Sequence, residues 1–400
     1  MNDKKNIYFK KNTVNSINSI ESLSKCLGVS EDLIHHCFHL DPSDRYSQPK
    51  NIAPKKNGKI RKIYNPSKEI REIQKEIKNK ILRSNHIISW PYYVYGVAKK
   101  EKNKPPKDFV ASAAAHCESK TLLKVDIRDF FDNISEDLIF NVFLNLYKYP
   151  ERISTILADI CCHNGHLPQG AVTSSHLASL IFFDLEPDLV KKLNYKNLAY
   201  SRYIDDITIS SKVHKYDMQY ARTVVQEMLT AKGLSINEEK TFSGSHSLRS
   251  LDVHGLLIDT KNPRITSEKK RNLRAAIHQL KKEASLPNRI TNIGYKKEHE
   301  KIVGRISLMT RLKHPKAHQY KEILKSINYK PSPFDRMITE KHIKVLKDQY
   351  AKNDTVWYKS FYHKVEYRVG WFYGQNNQFR KITYNILLDE LRKYMPQKAK

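Results

Sequence analysis

The sequence predicts an α/β (α+β) architecture, a mixed body of strands and helices followed by a basic helical region. From residue 120 onward, β-prone runs alternate with apolar residues at helical spacing. Two of those runs, 198–204 and 207–211, are separated only by Asp205-Asp206, which reads as a hairpin with carboxylates at its tip. The positive charge is concentrated late in the chain. Residues 1–260 carry 38 Lys+Arg against 30 Asp+Glu, whereas 261–400 carry 33 against 12.

In chain order, 20–27 and 31–40 read as short helices, with Gly28 as the stop of the first and Ser30 as the cap of the second. A Lys-rich turn at 53–59 leads to a strand at 60–64. Pro66-Ser67 then opens a helix whose apolar positions are Ile70, Ile73, Ile77 and Ile81. Residues 121–126 form a strand entering a turn. Leu138, Val142 and Leu146 make the inner stripe of a helix. One helix is expected over 174–190, with Ala178, Phe182, Leu185 and Leu189 facing inward. Further helices are expected at 217–232, 267–285, 298–312 and 316–327. No internal repeat interrupts this series.

Composition excludes several classes. With 40% hydrophobic and 10% aromatic residues, the chain can bury real cores and is not disordered throughout. No apolar run approaches the ~18 residues of a membrane span, and the opening residues lack the apolar stretch of a secretory signal. Five cysteines (Cys26, Cys37, Cys117, Cys161, Cys162) form no CxxC pair, which suits a reducing, cytoplasmic setting. The HisHisCysPheHis run at 35–39 has no second ligand pair at zinc spacing. A net charge of +29 makes a polyanion, nucleic acid by default, the expected partner.

The chemistry is carried by acids. Adjacent carboxylates at a turn repel and raise each other's pKa unless a positive group intervenes. Asp126 ends another β-prone run. If the strands are sheet neighbours, Asp126, Asp205 and Asp206 converge into a hard oxygen site suited to two Mg²⁺ ions. Such a pair activates an attacking hydroxyl and stabilises a leaving pyrophosphate, so phosphoryl transfer is the expected reaction class.

Five short motifs occur in order: ValAspIleArgAspPhePheAspAsn (125–133), LeuProGlnGlyAlaValThrSerSer (167–175), TyrIleAspAsp (203–206), IleAsnGluGluLysThr (236–241) and ValHisGlyLeu (253–256). In order and spacing they resemble the palm motifs of reverse transcriptases, and 61–70 resembles the fingers segment of that family. Cys161-Cys162 before LeuProGlnGly, and Ala113 with His116 before Asp126, are similar to the bacterial retron enzymes. The pattern is not copied throughout. Ile204 replaces the usual Ala, His254 the usual Thr of ValThrGly, and Ser112 the usual Asn. Val172 and Ser175 stand where prolines are usual.

The resemblance implies an RNA-directed DNA polymerase shaped like a right hand. Its parts would be an N-terminal helical region (1–50), fingers (51–118 with part of 140–170), a palm of antiparallel sheet plus helices (119–258), a basic helical thumb (259–330) and a C-terminal extension (331–400). It implies that Asp126, Asp205 and the backbone carbonyl of Ile127 contact two Mg²⁺, with Asp206 a less direct third acid. Phe131 would stack under the sugar and exclude a 2′-hydroxyl. Arg61, Gln169 and Gly170 would line the dNTP pocket, and Lys240 would donate a proton to pyrophosphate. His254, Gly255 and the basic helix bearing Lys269, Lys270, Arg271 and Arg274 would track nucleic acid.

The implied partners are dNTPs, a cognate structured noncoding RNA copied from an internal 2′-hydroxyl into a branched RNA–DNA hybrid, and an effector protein in phage defence. Two rivals remain: a related defence polymerase making untemplated or protein-primed DNA, and a non-catalytic RNA-binding protein on a polymerase fold. Residues 350–384 hold 11 of the 40 aromatics, among them Trp357, Tyr358, Tyr362, Trp371 and Tyr373. Lys359, Lys364, Arg368, Arg380 and Lys381 are interleaved with them. These suit either base stacking or a small sealed core.

Overall fold

The structure is a computed structural model that describes residues 6–12, 17–47, 63–97, 106–246, 250–353, 355–373 and 378–396. The chain divides into two compact units, Met1–Arg264 and Ile265–Lys400.

The first unit is built on a five-stranded sheet. Its strands are β1 (Val94–Tyr95), β2 (Thr121–Asp126), β3 (Ala199–Tyr203), β4 (Asp206–Ser211) and β5 (Phe242–Ser245), in the order β1-β3-β4-β2-β5. All neighbours are antiparallel except β1 with β3. Because strand side chains alternate, the register sorts the sheet into two faces. Leu123 stands opposite Ile209, Val125 opposite Ile207, and Ile207 opposite Arg202. These belong to one face, apolar apart from Arg202. Lys124, Asp126, Asp206, Thr208, Ser210, Ser201 and Tyr203 share the other. One face is therefore an apolar floor, and the other is polar and carries the acids.

Around this sheet most expected helices form. Ile20–Leu27 is capped by Ser19 and stopped by Gly28 at φ 70°, where only a residue without Cβ is unstrained. Ser30 caps Glu31–His39. Ser67 caps Lys68–Glu76, which runs on as wider π-helical turns over Ile77–Leu82. Ile70, Ile73, Ile77 and Ile81 are all fully buried. Cys161 and Cys162 end the helix Glu151–Cys161 and are buried, so they pack rather than react. The helix Gln219–Thr230 also follows expectation.

Four expectations need correction. Of the strand expected at 60–64, residues 63 and 64 are not in a strand, which instead forms at Asn65–Pro66, paired with Tyr46–Ser47; residues 60–62 and the Lys-rich turn lie outside the described residues. The single helix expected over 174–190 is two, Ser174–Leu180 and Glu186–Tyr195. Pro187 cannot donate the N–H that a continuous helix needs there, and it sits where proline is tolerated, in the first turn of the second helix. Leu185 is consequently only half-buried. In the helical segment from Glu136 the inward stripe is Ile139, Val142, Phe143 and Leu146, with Leu138 half-buried.

The second unit is helical: Ser267–Ala284, Ile293–Arg311, Ala317–Ser326, Pro333–Asp348, Val356–Val369 and Gln378–Arg392. Thr266, Asn292, Ser332 and Thr355 cap four of these N-termini through their side chains. The aromatics divide between two roles, since Tyr358, Tyr362 and Trp371 are buried while Trp357 and Tyr373 are exposed. Within the unit Lys296 is 6% exposed. Its ammonium lies 4.4 Å from the Tyr367 ring centre and 4.8 Å from that of Trp371. It also pairs with Glu300 and donates to the Tyr367 hydroxyl at 2.8 Å.

Among the described residues no helix is long and apolar enough to cross a membrane.

Candidate active site

Strand register brings two of the three acids together and leaves the third in the adjoining turn. Asp126, the last residue of β2, stands opposite Asp206, the first residue of β4. Tyr203 pairs with Asp206 across the β3–β4 hairpin, so the two-residue turn is Ile204-Asp205 and not the Asp205-Asp206 tip read from the sequence. Ile204 has φ 60°, whereas Asp205 is not among the residues with positive φ. That is the pattern of a type II′ turn, whose twist suits a hairpin. It is an uncommon place for a β-branched side chain.

Asp126 is held from the loop that precedes β5. Lys240 Nζ and Asn237 Nδ2 both donate to Asp126 Oδ2 at 2.9 Å. The hydrogen bond to Asp126 is the largest cause of a raised Lys240 pKa. The Asp206 carboxyl is pushed up to about 6, first by desolvation and then by Asp205 and Asp126, with Lys240 and Lys124 pulling it down. With 51% of the Asp206 side chain exposed, water screens both the burial and the repulsion from the neighbouring carboxylates.

Ile127 forms an antiparallel bridge with Ile236. The bonds that make it run from Arg128 N–H to the Ser235 carbonyl and from Asn237 N–H to the Asp126 carbonyl. The bridge therefore uses neither the N–H nor the carbonyl of Ile127. Among the described residues no three His, Cys, Asp or Glu side chains are drawn into a ready-made metal cage. The donor chemistry nonetheless fits a divalent cation: these are hard oxygens whose mutual repulsion already raises one proton affinity.

Beside the acids, Phe130 is buried and stacks on Phe182 at 6.2 Å, while Phe131 is half-buried. One of the two adjacent rings thus belongs to the core and the other lies nearer the surface. Gly170 has φ 112°, and a Cβ there would lie 2.6 Å from the Tyr64 carbonyl. The preceding Gln169 carbonyl accepts the Tyr64 N–H at 2.8 Å. The LeuProGlnGly loop is therefore laid against the segment that follows Arg61, which itself lies outside the described residues.

His254 and Gly255 form the turn between strands Asp252–Val253 and Leu256–Leu257, with φ 50° and 71°. Positive φ at both central residues defines a type I′ turn, and histidine tolerates that region better than most residues. The His254 ring lies 5.0 Å from that of Tyr203, and its Nδ1 is 3.9 Å from Asp206 Oδ2. Burial lowers the His254 pKa to about 4, so at neutral pH this approach is not an ion pair. Sequence reasoning missed three supports of the site: Asn237 on Asp126, Lys124 on Asp252 at 3.1 Å, and the buried Arg202–Glu186 pair. Asn237 lies within the motif at 236–241; Lys124 and Arg202 lie in β-prone runs and Glu186 in the helix expected over 174–190, and nothing in the sequence marks these charges as partnered.

In the second unit the helix Ser267–Ala284 buries Leu273, Ile277 and Leu280. Lys269, Arg271, Arg274, Lys281 and Lys282 are exposed on it, and Lys270 is half-buried.

Residues 53–256 match the family described as reverse transcriptase (RNA-dependent DNA polymerase). The Retron Ec48 reverse transcriptase of Escherichia coli is 34% identical over 373 residues, covering 92% of this chain and 90% of that protein. The chain belongs to the retron reverse transcriptases. The Retron Se72 reverse transcriptase of Salmonella heidelberg is 30% identical, covering 77% of this chain and 79% of its own length. The Retron Ec86 reverse transcriptase of Escherichia coli is 31% identical, covering 66% and 78%. This retron reverse transcriptase is thus an RNA-directed DNA polymerase with a mixed α/β polymerase fold, using an RNA template and dNTPs. Divalent-metal dependence is general to its family.

Proposed function

We propose that Asp126, Asp205 and Asp206, with the Ile127 carbonyl, hold two Mg²⁺ ions for nucleotidyl transfer. The observation that supports this reading is the register that sets Asp126 opposite Asp206, with Asp205 in the adjoining turn. Bound Mg²⁺ would supply activation of the attacking hydroxyl and stabilisation of the pyrophosphate that leaves. The chain's own residues do the rest. Lys240, protonated through its Asp126 bond, donates a proton to pyrophosphate. Phe131 lies under the sugar and excludes a 2′-hydroxyl. Arg61, Gln169 and Gly170 receive the triphosphate and base. His254, Gly255 and the exposed cations Lys269, Arg271 and Arg274, with Lys270, follow the nucleic-acid backbone. In this reading, residues 51–118 with part of 140–170 are fingers, 119–258 palm and 259–330 thumb.

The template, on this reading, is a cognate structured noncoding RNA, copied from an internal 2′-hydroxyl into a branched RNA–DNA hybrid. The product acts with an effector protein in antiphage defence in the cytoplasm. Membership of the retron family supports this over untemplated or protein-primed synthesis, and the intact acid set supports it over a non-catalytic RNA binder. Asp205→Asn/Asp206→Asn should abolish dNTP incorporation and leave RNA affinity within about threefold, since the exposed cations supply that affinity. Full incorporation by the double variant would overturn the reading. Sequencing the nucleic acid that co-purifies with the enzyme tests the branched product.

A further inference from the structure

We propose that Arg202 is a positioning residue that holds the turn bearing Asp205 in its left-handed backbone conformation. This rests on the reading that Asp205 and Asp206 are reacting carboxylates.

Arg202 is completely buried on the apolar face of the sheet, opposite in sense to Tyr203 and Asp206. Its guanidinium is forked onto Glu186, with Nε to Oε1 at 2.6 Å and Nη2 to Oε2 at 2.7 Å. Nη2 also donates to the Ser179 carbonyl at 2.9 Å, and Tyr200 Oη donates to Glu186 Oε1 at 2.7 Å. A buried ion pair alone says little, because well-packed apolar residues often replace one without loss. What distinguishes this pair is the remaining nitrogen. Nη1 reaches under the hairpin and donates to the Ile204 carbonyl at 3.0 Å.

Ile204 is the β-branched residue at φ 60°, a conformation that persists only where the surroundings over-determine it. The other side of the turn is fixed by Gly96, just beyond β1. A Cβ on Gly96 would come within 3.1 Å of the Tyr203 ring and 3.3 Å of Ile204 Cγ1. The same guanidinium lies 5.1 Å over the Phe182 ring, which carries Phe130 beside the candidate sugar gate. One buried cation thus touches both the acid-bearing turn and the support of the aromatic pair. Only a planar fork can hold the Glu186 carboxylate and still send a nitrogen to Ile204; an ammonium cannot.

The test uses the full-length enzyme on a primed RNA template. Arg202→Lys should lower kcat about 10- to 100-fold, the range for residues supporting metal ligands. It should weaken Mn²⁺ binding, followed by electron paramagnetic resonance, by about tenfold. RNA affinity and the dNTP KM should stay within about twofold, because Arg202 touches neither. Adding Ile204→Gly, which removes the penalty for positive φ, should recover most of both losses. If Arg202→Lys does not fold, Arg202→Met/Glu186→Leu/Tyr200→Phe, which removes the buried charges together, should show the same two losses. Normal kcat and Mn²⁺ affinity with a lowered melting temperature, losses that Ile204→Gly does not recover, or failure of both variants to fold would each overturn the proposal. Full incorporation by Asp205→Asn would instead overturn the carboxylate assignment, whatever Arg202 does.

Discussion

Ser112 Oγ lies 3.1 Å from His254 Nε2. These are two of the positions at which the chain departs from the retron pattern, separated by 142 residues, and they are bonded neighbours. The bond continues inward, from Ser112 to Ser201 at 3.1 Å and from Ser201 to His116 Nε2 at 2.7 Å. His116 Nδ1 then meets Ser210 Oγ at 2.7 Å. Two departures that look independent along the chain are one polar chain on the acid-bearing face.

If so, their removal should not add. Ser112→Ala and His254→Ala should each cost about 1–2 kcal/mol. The double variant should cost less than their sum by about 0.5–1 kcal/mol in urea melts. Strict additivity would show that the bond contributes nothing.

His116 gives the fold a defined acid sensitivity. Burial, with a smaller effect from His254, lowers its pKa to about 3 in the folded chain, against about 6.5 when unfolded. Between those values the unfolded state binds the extra proton. The stability that His116 contributes is therefore complete above pH 6.5 and falls as pH drops through that window, by up to about 1.4 kcal/mol per pH unit. His116→Asn should flatten this slope between pH 6 and 4; an unchanged slope would remove His116 as its source.

Phe130 and Phe131 should separate cleanly. Phe130→Ala empties a packed site beneath Phe182 and should cost about 3–5 kcal/mol. Phe131→Ala should cost less, and should raise incorporation of ribonucleotides relative to deoxyribonucleotides by about 10- to 100-fold. Equal discrimination in wild type and Phe131→Ala would exclude Phe131 as the gate.

Gly170→Ala asks for a side chain at φ 112° and a Cβ 2.6 Å from the Tyr64 carbonyl. The loop must move away from Tyr64, at a cost of about 1–3 kcal/mol. The dNTP KM should rise more than kcat falls. An unchanged KM would place this loop outside the nucleotide pocket.

Much of this was legible from residue order, because alternation and capping are local. The hairpin around Asp205, the caps at Ser30 and Ser67 and the isoleucine stripe at 70–81 follow from spacing alone. The break at Pro187 was missed because 174–190 keeps helical periodicity through the break, and periodicity does not report a missing N–H. The turn residues were misread by one position, since Asp-Asp looks like a tip while strand register decides where the tip lies. Arg202 and Glu186 were invisible for a different reason. Buried charges have no periodic signature, and their pairing is fixed only when the sheet and the helix Glu186–Tyr195 have formed.

The setting of Lys296 has a practical consequence for anyone shortening this enzyme. Tyr367 and Trp371, which flank its ammonium, come from the last 70 or so residues of the chain. A truncation before residue 331 would strip both rings from a lysine that sits inside the protein and leave Glu300 as its charged companion. What resembles a trimmable tail in the primary structure covers a buried charge, and cutting it exposes that ammonium to solvent.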